Sequence, residues 1–232
     1  MPWYLKSSAI LRSCGVTMST NHAGRQLFAA IKQTTRAGHS PVVLTIGRPL
    51  LATLRPIATI PGNLDALDVK LLTDWRNQHV KSFLSEFVAN ERQTEQWLGQ
   101  SVHQNDGKML FMVETLQGER VGHVGLGFID WSMAYGEADA IVSGGKSPKG
   151  LMKESLLTLM RWSRDVLGLR ALAVRVRSDN SAVAFYQKVG FEEFKRVPIV
   201  PMTVSGGVTW VEDPMAVNCV ATLVHMNLNL KE

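Results

Sequence analysis

Two rhythms of apolar and polar residues run through this chain, and its elements begin and end where one rhythm gives way to the other. Leu172, Val174 and Val176 alternate with Ala173, Arg175 and Arg177, the period of a strand. Just upstream, Met152, Leu156, Leu159, Ser163 and Val166 recur at three- and four-residue spacing and make the inward face of a helix. Gly168 stops that helix as a left-handed cap, with Leu169 placed for the contact behind it. An earlier strand, Glu137–Val142, breaks at Ser143-Gly144-Gly145-Lys146-Ser147-Pro148-Lys149-Gly150, because this density of glycine and proline neither continues a strand nor begins a helix. A short helix, Ser181–Val189, opens behind Asp179 or Asn180 as cap and ends at Gly190. The chain is organised around this stretch, Glu137 to Phe191.

The flanks read less sharply. Leu50–Ala58 predicts the first core strand, Pro61-Gly62-Asn63 a turn, and Asn63 or Asp65 the cap of a helix containing Leu67, Leu71, Leu72 and Trp75. A second helical region covers Glu91–Val102. Lys108–Thr115 and Arg120–Ile129 pattern as a hairpin around Gln117-Gly118-Glu119, and Gly122, Gly125 and Gly127 leave room for backbone or ligand beside its second strand. Pro201–Asn218 reads as a long excursion holding Trp210, either walling a site or bridging subunits. Val224, Met226, Leu228 and Leu230 then alternate with polar residues as a final strand. At the front, Arg25–Arg36 predicts a helix with Leu27, Phe28 and Ile31 on one face, and Pro41–Ile46 a short strand. A structural cap, an oligomer contact and an upstream start ahead of Met18 all stay open for residues 1–48. The expected division is an extension over 1–48 and a domain over 49–232.

Composition narrows the class. A chain of 232 residues with 45% apolar content can bury a sizeable core. Its net charge of +5 suits an anionic ligand. The charges are scattered rather than clustered, so nucleic acid is not an expected partner. Cys14 and Cys219 match no metal or redox spacing, and no metal is expected. With no apolar run of membrane-spanning length and no compact leader, the expectation is cytoplasm, with no membrane partner.

The candidate chemistry sits at the glycine-rich loop. A loop feeding a helix start leaves about four N–H groups unpaired at the positive end of the helix dipole, a site for phosphate or pyrophosphate. Lys146 and Lys149 stand at its rim; the plain alternative is an ordinary turn with two solvated lysines. Two nucleotide motifs are excluded on the letters. A Walker loop needs glycine where Ala140 stands, and Gly122, Gly125 and Gly127 have the wrong spacing for a dinucleotide fingerprint. At the end of the first predicted helix, Arg76 can grip phosphate or carboxylate with two bonds, and Asn77 can both donate and accept. Alternatively, Arg76 pairs with a nearby acid and Asn77 ends the helix. His123 reads as a structural partner. Glu137 and Asp139 share one side of their strand.

The run Ser178-Asp179-Asn180-Ser181-Ala182-Val183-Ala184-Phe185-Tyr186-Gln187-Lys188-Val189-Gly190-Phe191 resembles the closing motif of the GCN5-related N-acetyltransferase (GNAT) superfamily, N-x-x-A/S-x-x-x-Y-x-K-x-G-F. The order of elements agrees over residues 50–232. The resemblance implies an α/β fold with a mixed, mostly antiparallel twisted sheet flanked by helices, and acetyl-coenzyme A (acetyl-CoA) as donor. It implies that Lys146, Lys149, Gly150, Leu151, Met152 and Asn180 hold the coenzyme, and that Tyr186 is the general acid. Two departures stand out. Ser147 and Met152 replace a basic or amide residue and a small one, and Asn180 lies one residue nearer Tyr186 than usual, with Asp179 in the asparagine's place. Trp75-Arg76-Asn77 resembles a subset that acetylates amino sugars on nucleotide carriers, a looser pattern shared with ribosomal-protein N-terminal acetyltransferases. The resulting expectation is direct acetyl transfer to a small-molecule primary amine bound by Arg76 and Asn77, with Glu137 taking the amine's proton. A protein α-amino acceptor and a non-catalytic acyl-coenzyme A module are the alternatives, and a homodimer stays open.

Overall fold

The computed structural model describes residues 20–230, so Cys14 and Met18 lie outside it. In chain order the elements are α1 (Thr20–Thr34), β1 (Leu44–Ile46), β2 (Ala52–Pro56), α2 (Ala66–Gln78), β3 (Ser85–Glu86) and α3 (Glu91–Trp97), which runs on as a π-helical turn, Leu98–His103. Then follow β4 (Met109–Thr115), β5 (Arg120–Asp130), β6 (Tyr135–Ser143), α4 (Leu151–Asp165), β7 (Ala171–Arg177), α5 (Ala182–Val189), β8 (Phe191–Val204), β9 (Gly207–Glu212) and β10 (Ala221–Leu228). The strands form one sheet in the order β1-β2-β4-β5-β6-β7-β10-β8-β9-β3. Its pairings are antiparallel except β6 with β7, which is parallel. This is the mixed, mostly antiparallel sheet that the closing motif implied.

Side-chain alternation divides the core between the two faces. Phe111 and Val113 of β4, Val124 and Leu126 of β5, and Val174 and Val176 of β7 pack with Leu156, Leu159 and Met160 of α4. On the opposite face Leu110 and Met112 of β4 and Val142 of β6 pack with Val69, Leu72 and Trp75 of α2. Fully burying each such side chain stabilises the fold by about 1.5–3 kcal/mol. Local chemistry sets the helix ends. Asp65 caps α2 by accepting from the Leu67 and Asp68 amides, and Asn90 forms a capping box with Gln93.

Residues 20–48 share this core. Phe28, Ile31 and Ile46 belong to the α4 face, although Leu27, expected beside them, is 37% exposed. Buried Lys32 donates to the Val102 carbonyl at 2.6 Å and to that of Asn105, placing a cation at the end of the π-helical turn. Burial pulls its pKa down to about 8, against the opposing charge of Asp106.

The excursion expected over Pro201–Asn218 is largely a hairpin. β8 runs to Val204, Gly206 turns the chain with φ +86°, and β9 returns. Thr203, Val204, Val208 and Thr209 around Ser205-Gly206-Gly207 carry that signal in the sequence. Among the described residues no helix is long and apolar enough to cross a membrane.

Candidate active site

The sheet has one fault line. β6 and β7 pair only at Tyr135 with Ala171, Gly136 with Leu172, and Glu137 with Ala173; beyond these the two strands part. The parting coincides with a bulge. Asp139 faces Gly125 while Val142 faces His123, so β6 carries one extra residue, and Ala140 takes up φ +49°. A second bulge, on β5 at Phe128, flanks Glu137 from the other side. The result is a fork that opens toward the C-terminal ends of β6 and β7.

The glycine-rich loop leaves the β6 tip of this fork. The Gly144 and Gly145 amides both donate to the Val121 carbonyl, and Gly144 lies so close to Trp75 of α2 that a Cβ there would overlap the indole. Gly150 then starts α4 in the left-handed conformation with no side-chain cap. Leu151 N–H is taken by Pro148 and Glu154 N–H by Gly150, which leaves the Met152 and Lys153 amides without a partner among the described residues. Lys146 and Lys149 are exposed and form no ion pair among the described residues. A cavity of about 290 Å³ beside them is lined by Leu51, Pro148, Lys149, Leu151, Lys153 and Glu154. Free amides, a glycine without a Cβ and two solvated lysines fit a pyrophosphate. Met152 does not obstruct it: its side chain turns inward, with Sδ 3.0 Å from where a Cβ on Gly122 would stand.

On the α2 face of the fork the titratable groups are already engaged. Buried Glu137 accepts from the Tyr135 hydroxyl at 2.6 Å and pairs with Arg175 at 2.8 Å. Asp139 pairs with Lys108 at 2.7 Å and also crowds Gly127. The space beside Gly122, Gly125 and Gly127 is thus filled by protein: Met152, Leu110 and Asp139.

A strap, residues 79–89, crosses from α2 toward the β7 tip. Asn77 holds its far end by donating to the Ala89 carbonyl and accepting the Ala89 amide, both at 2.8 Å, so its amide is spent within the protein. Arg76 finds no acid among the described residues. Its Nη2 donates to the Ser85 carbonyl at 2.6 Å, and its guanidinium lies 3.8 Å from the Phe87 ring centre and 4.7 Å from that of Phe83. Its Nε is buried without a partner. Glu86 anchors the strap to β7 and β9, receiving Lys81 at 2.6 Å, Arg177 at 2.6 Å and the Trp210 indole at 2.7 Å. These three donors, Lys81 foremost, hold its carboxyl at about 2. Asp179 is clamped by Arg177 through both oxygens. Asn180, one residue ahead of the Ser181 cap position, accepts from the Ala182 amide at the start of α5 and donates to the Ser82 carbonyl of the strap.

Two aromatic groups complete the site. Tyr186 of α5 packs edge-on against Phe185 and Phe191, and its hydroxyl finds no partner among the described residues. Burial, then the charge of Asp139, pushes its pKa up, so the phenol stays protonated. His123 stacks on Trp75 with ring centres 6.0 Å apart and leaves Nδ1 unbonded. Burial pushes His123 down to about 4, outweighing its hydrogen bond with the Ala140 backbone and the nearby Asp139. The unfolded chain, with histidine near 6.5, takes up the proton first. This group therefore costs stability as pH falls from about 6.5 towards 4, by about 2 kcal/mol at pH 5. Urea unfolding at pH 7 and pH 5 is expected to lose that increment in His123→Phe; an unchanged pH slope would refute the assignment.

The structure thus places the loop residues at the β6 tip of the fork, Asn180 beyond the β7 tip and Glu137 at its base, with Arg76 under the strap and Tyr186 within electrostatic reach of Asp139, while Asn77 serves the strap. Sequence reasoning overlooked Arg175, Arg177, Glu86 and Lys108. Two arginines on one side of a strand whose other side is apolar were the available signal for a polar cluster at mid-sheet. Among the described residues no group of three or more His, Cys, Asp or Glu side chains is placed to hold a metal ion.

Residues 53–192 match the family described as acetyltransferase (GNAT) domain. Among solved structures, a spermidine N-acetyltransferase chimera from Vibrio cholerae and hSSAT superposes with a TM-score of 0.56 at 19% identity, over 76% of this chain and 94% of that one. A GCN5-related N-acetyltransferase from Brucella melitensis gives 0.58 at 18% identity, over 84% and 83%. At such identities the likeness is one of fold. No curated protein matches the chain.

Proposed function

We propose, for a chain that belongs to the acetyltransferase (GNAT) family, direct transfer of acetyl from acetyl-CoA to a small primary amine of the amino-sugar type. Membership makes it an N-acetyltransferase; the acceptor class and the residue roles are our reading. The observation that carries the reading is the fork, with an amide-rich helix start at one tip and a charged strap across its mouth.

Acetyl-CoA supplies the acetyl group as an activated thioester. The free Met152 and Lys153 amides, with Gly150 and Leu151 shaping the turn and Lys146 and Lys149 at the rim, hold its pyrophosphate. Asn180 fixes the start of α5 alongside. The acceptor nitrogen attacks the thioester carbonyl, forming the C–N bond as the C–S bond breaks. Tyr186 gives its proton to the departing thiolate. The amine's proton goes to Glu137, whose oxygens each keep an acceptor lone pair beyond those used by Tyr135 and Arg175. Asn77 acts on the acceptor only by fixing the strap that carries Arg76's partners.

Thiol release from acetyl-CoA with a panel of amines tests this reading. Release that requires an amine is expected, and its absence with every amine would reduce the protein to a binding module. In the same assay Glu137→Gln is expected to abolish the acid limb of the pH–rate profile, with a thermal scan to control for the unpaired Arg175. An unaltered profile would move the proton to Asp139 or water.

A further inference from the structure

Arg76 has no carboxylate partner among the described residues, although Ser85, Phe83 and Phe87 fix its guanidinium. Trp75, its neighbour on α2, is wedged against Gly144 at the β6 tip of the fork. The strap that follows is tied to the β7 tip by Arg177 on Glu86 and by Asn180 on the Ser82 carbonyl. Arg76 lies between these two attachments in the chain. Phe83 and Phe87 hold its guanidinium flat, and Ser85 takes one nitrogen. A half-buried cation with no carboxylate partner is an unbalanced charge, and the two rings offset only part of its desolvation.

The acids nearby each hold an internal cation, so none is left unpaired to bind the further ammonium groups of a polyamine. Glu137 is paired with Arg175, Asp139 with Lys108, Asp179 with Arg177, and Glu86 with both Lys81 and Arg177. Glu212, farther out on β9, stands 3.4 Å from His225. A polyamine that meets Arg76 finds these carboxylates already neutralised. An amine that also bears an anion meets a fixed, planar donor with two aromatic walls.

We infer that the acceptor carries a carboxylate or phosphate beside its amine, that Arg76 binds this group, and that polyamines are poor substrates. The inference rests on the acetyl-transfer reading above. It also separates this chain from the neighbours whose names specify spermidine.

Initial rates with glucosamine, glucosamine 6-phosphate, glutamate and spermidine at fixed acetyl-CoA test it. The better anionic acceptor is expected to exceed glucosamine and spermidine about tenfold or more in kcat/KM, through KM, as a charge-assisted contact implies. Which of the two anionic amines leads identifies phosphate or carboxylate as the ligand. In Arg76→Gln the anionic-to-neutral ratio is expected to fall towards one, while Arg76→Lys keeps part of it. Spermidine or glucosamine used as well as the anionic amines would overturn the inference, and the unmutated protein suffices to show that. A ratio that survives in Arg76→Gln would overturn it as well. No thiol release with any amine would instead defeat the acetyl-transfer reading.

Discussion

Tyr186→Phe is expected to lower turnover about ten- to a thousandfold while coenzyme affinity and thermal stability change little. A coenzyme A thiolate expelled into a dry pocket is a poor leaving group unless a proton reaches the sulfur as the bond breaks. Tyr186 can supply it, because its phenol is protonated at neutral pH, although burial and Asp139 both hold that proton more tightly. Its hydroxyl has no protein partner among the described residues and is not one of the buried unpaired atoms, so it is left available to a substrate. The phenylalanine variant keeps both edge-on contacts with Phe185 and Phe191, so packing is not what the experiment alters. Steady-state rates and calorimetry with coenzyme A separate chemistry from binding. Full turnover in the variant would leave Tyr186 as a packing residue.

The second large effect is expected from adding one methyl group. Gly144→Ala places a Cβ inside the Trp75 indole. The ring cannot give way, since Trp75 is buried among Leu72, Leu98, Met112 and Val142 and backed by His123. The loop has to lift instead, and its two bonds to the Val121 carbonyl go with it. Overpacking of this kind costs about 1–3 kcal/mol. Displacing the amide cradle should weaken coenzyme A binding about ten- to a hundredfold, by the affinity equivalent of that cost. Gly145→Ala is the control, because the nearest atom to its Cβ, Val121 Cα, is 3.8 Å away. Equal calorimetric affinities for the two variants would show that the loop's seat on Trp75 is irrelevant to the donor.

The stretch from Glu137 to Phe191 was legible because its punctuation is local. Gly150, Gly168 and Gly190 each sit at a left-handed position that glycine alone fills without strain, and the helix faces follow from spacing. Asp179 and Asn180 read as rival caps, yet the cap position falls one residue later at Ser181, with Asp179 drawn to Arg177 and Asn180 accepting from the Ala182 amide. What stayed hidden depends on residues far apart in the chain. Met152 stands where the resembling family has a small residue, and the room for its side chain is supplied by Gly122 on another strand. Glu86 and Arg177 are 91 positions apart, and no periodicity announces such a pair. Glu137 was correctly sided with Asp139, but its commitment to Arg175 required knowing that β7 lies alongside β6. Arg76 was singled out on its chemistry, while the aromatic pair that holds it came from the strap, whose path the helix pattern does not specify.

The last strand in the chain is not at the margin of the sheet. β10 inserts between β7 and β8, matching Leu223 through Asn227 with Arg177 through Ala173, while Phe28, Ile31 and Ile46 close the core from the other terminus. The stretch that carries the family match, 53–192, contains neither. A fragment excised at those limits would leave β7 with a bare row of amides and carbonyls along its whole β10 side. Such an edge recruits other chains, so the shortened piece would self-associate before it could act. The unit of cooperative folding is wider than the unit of resemblance, and expression of this enzyme in parts has to respect the former.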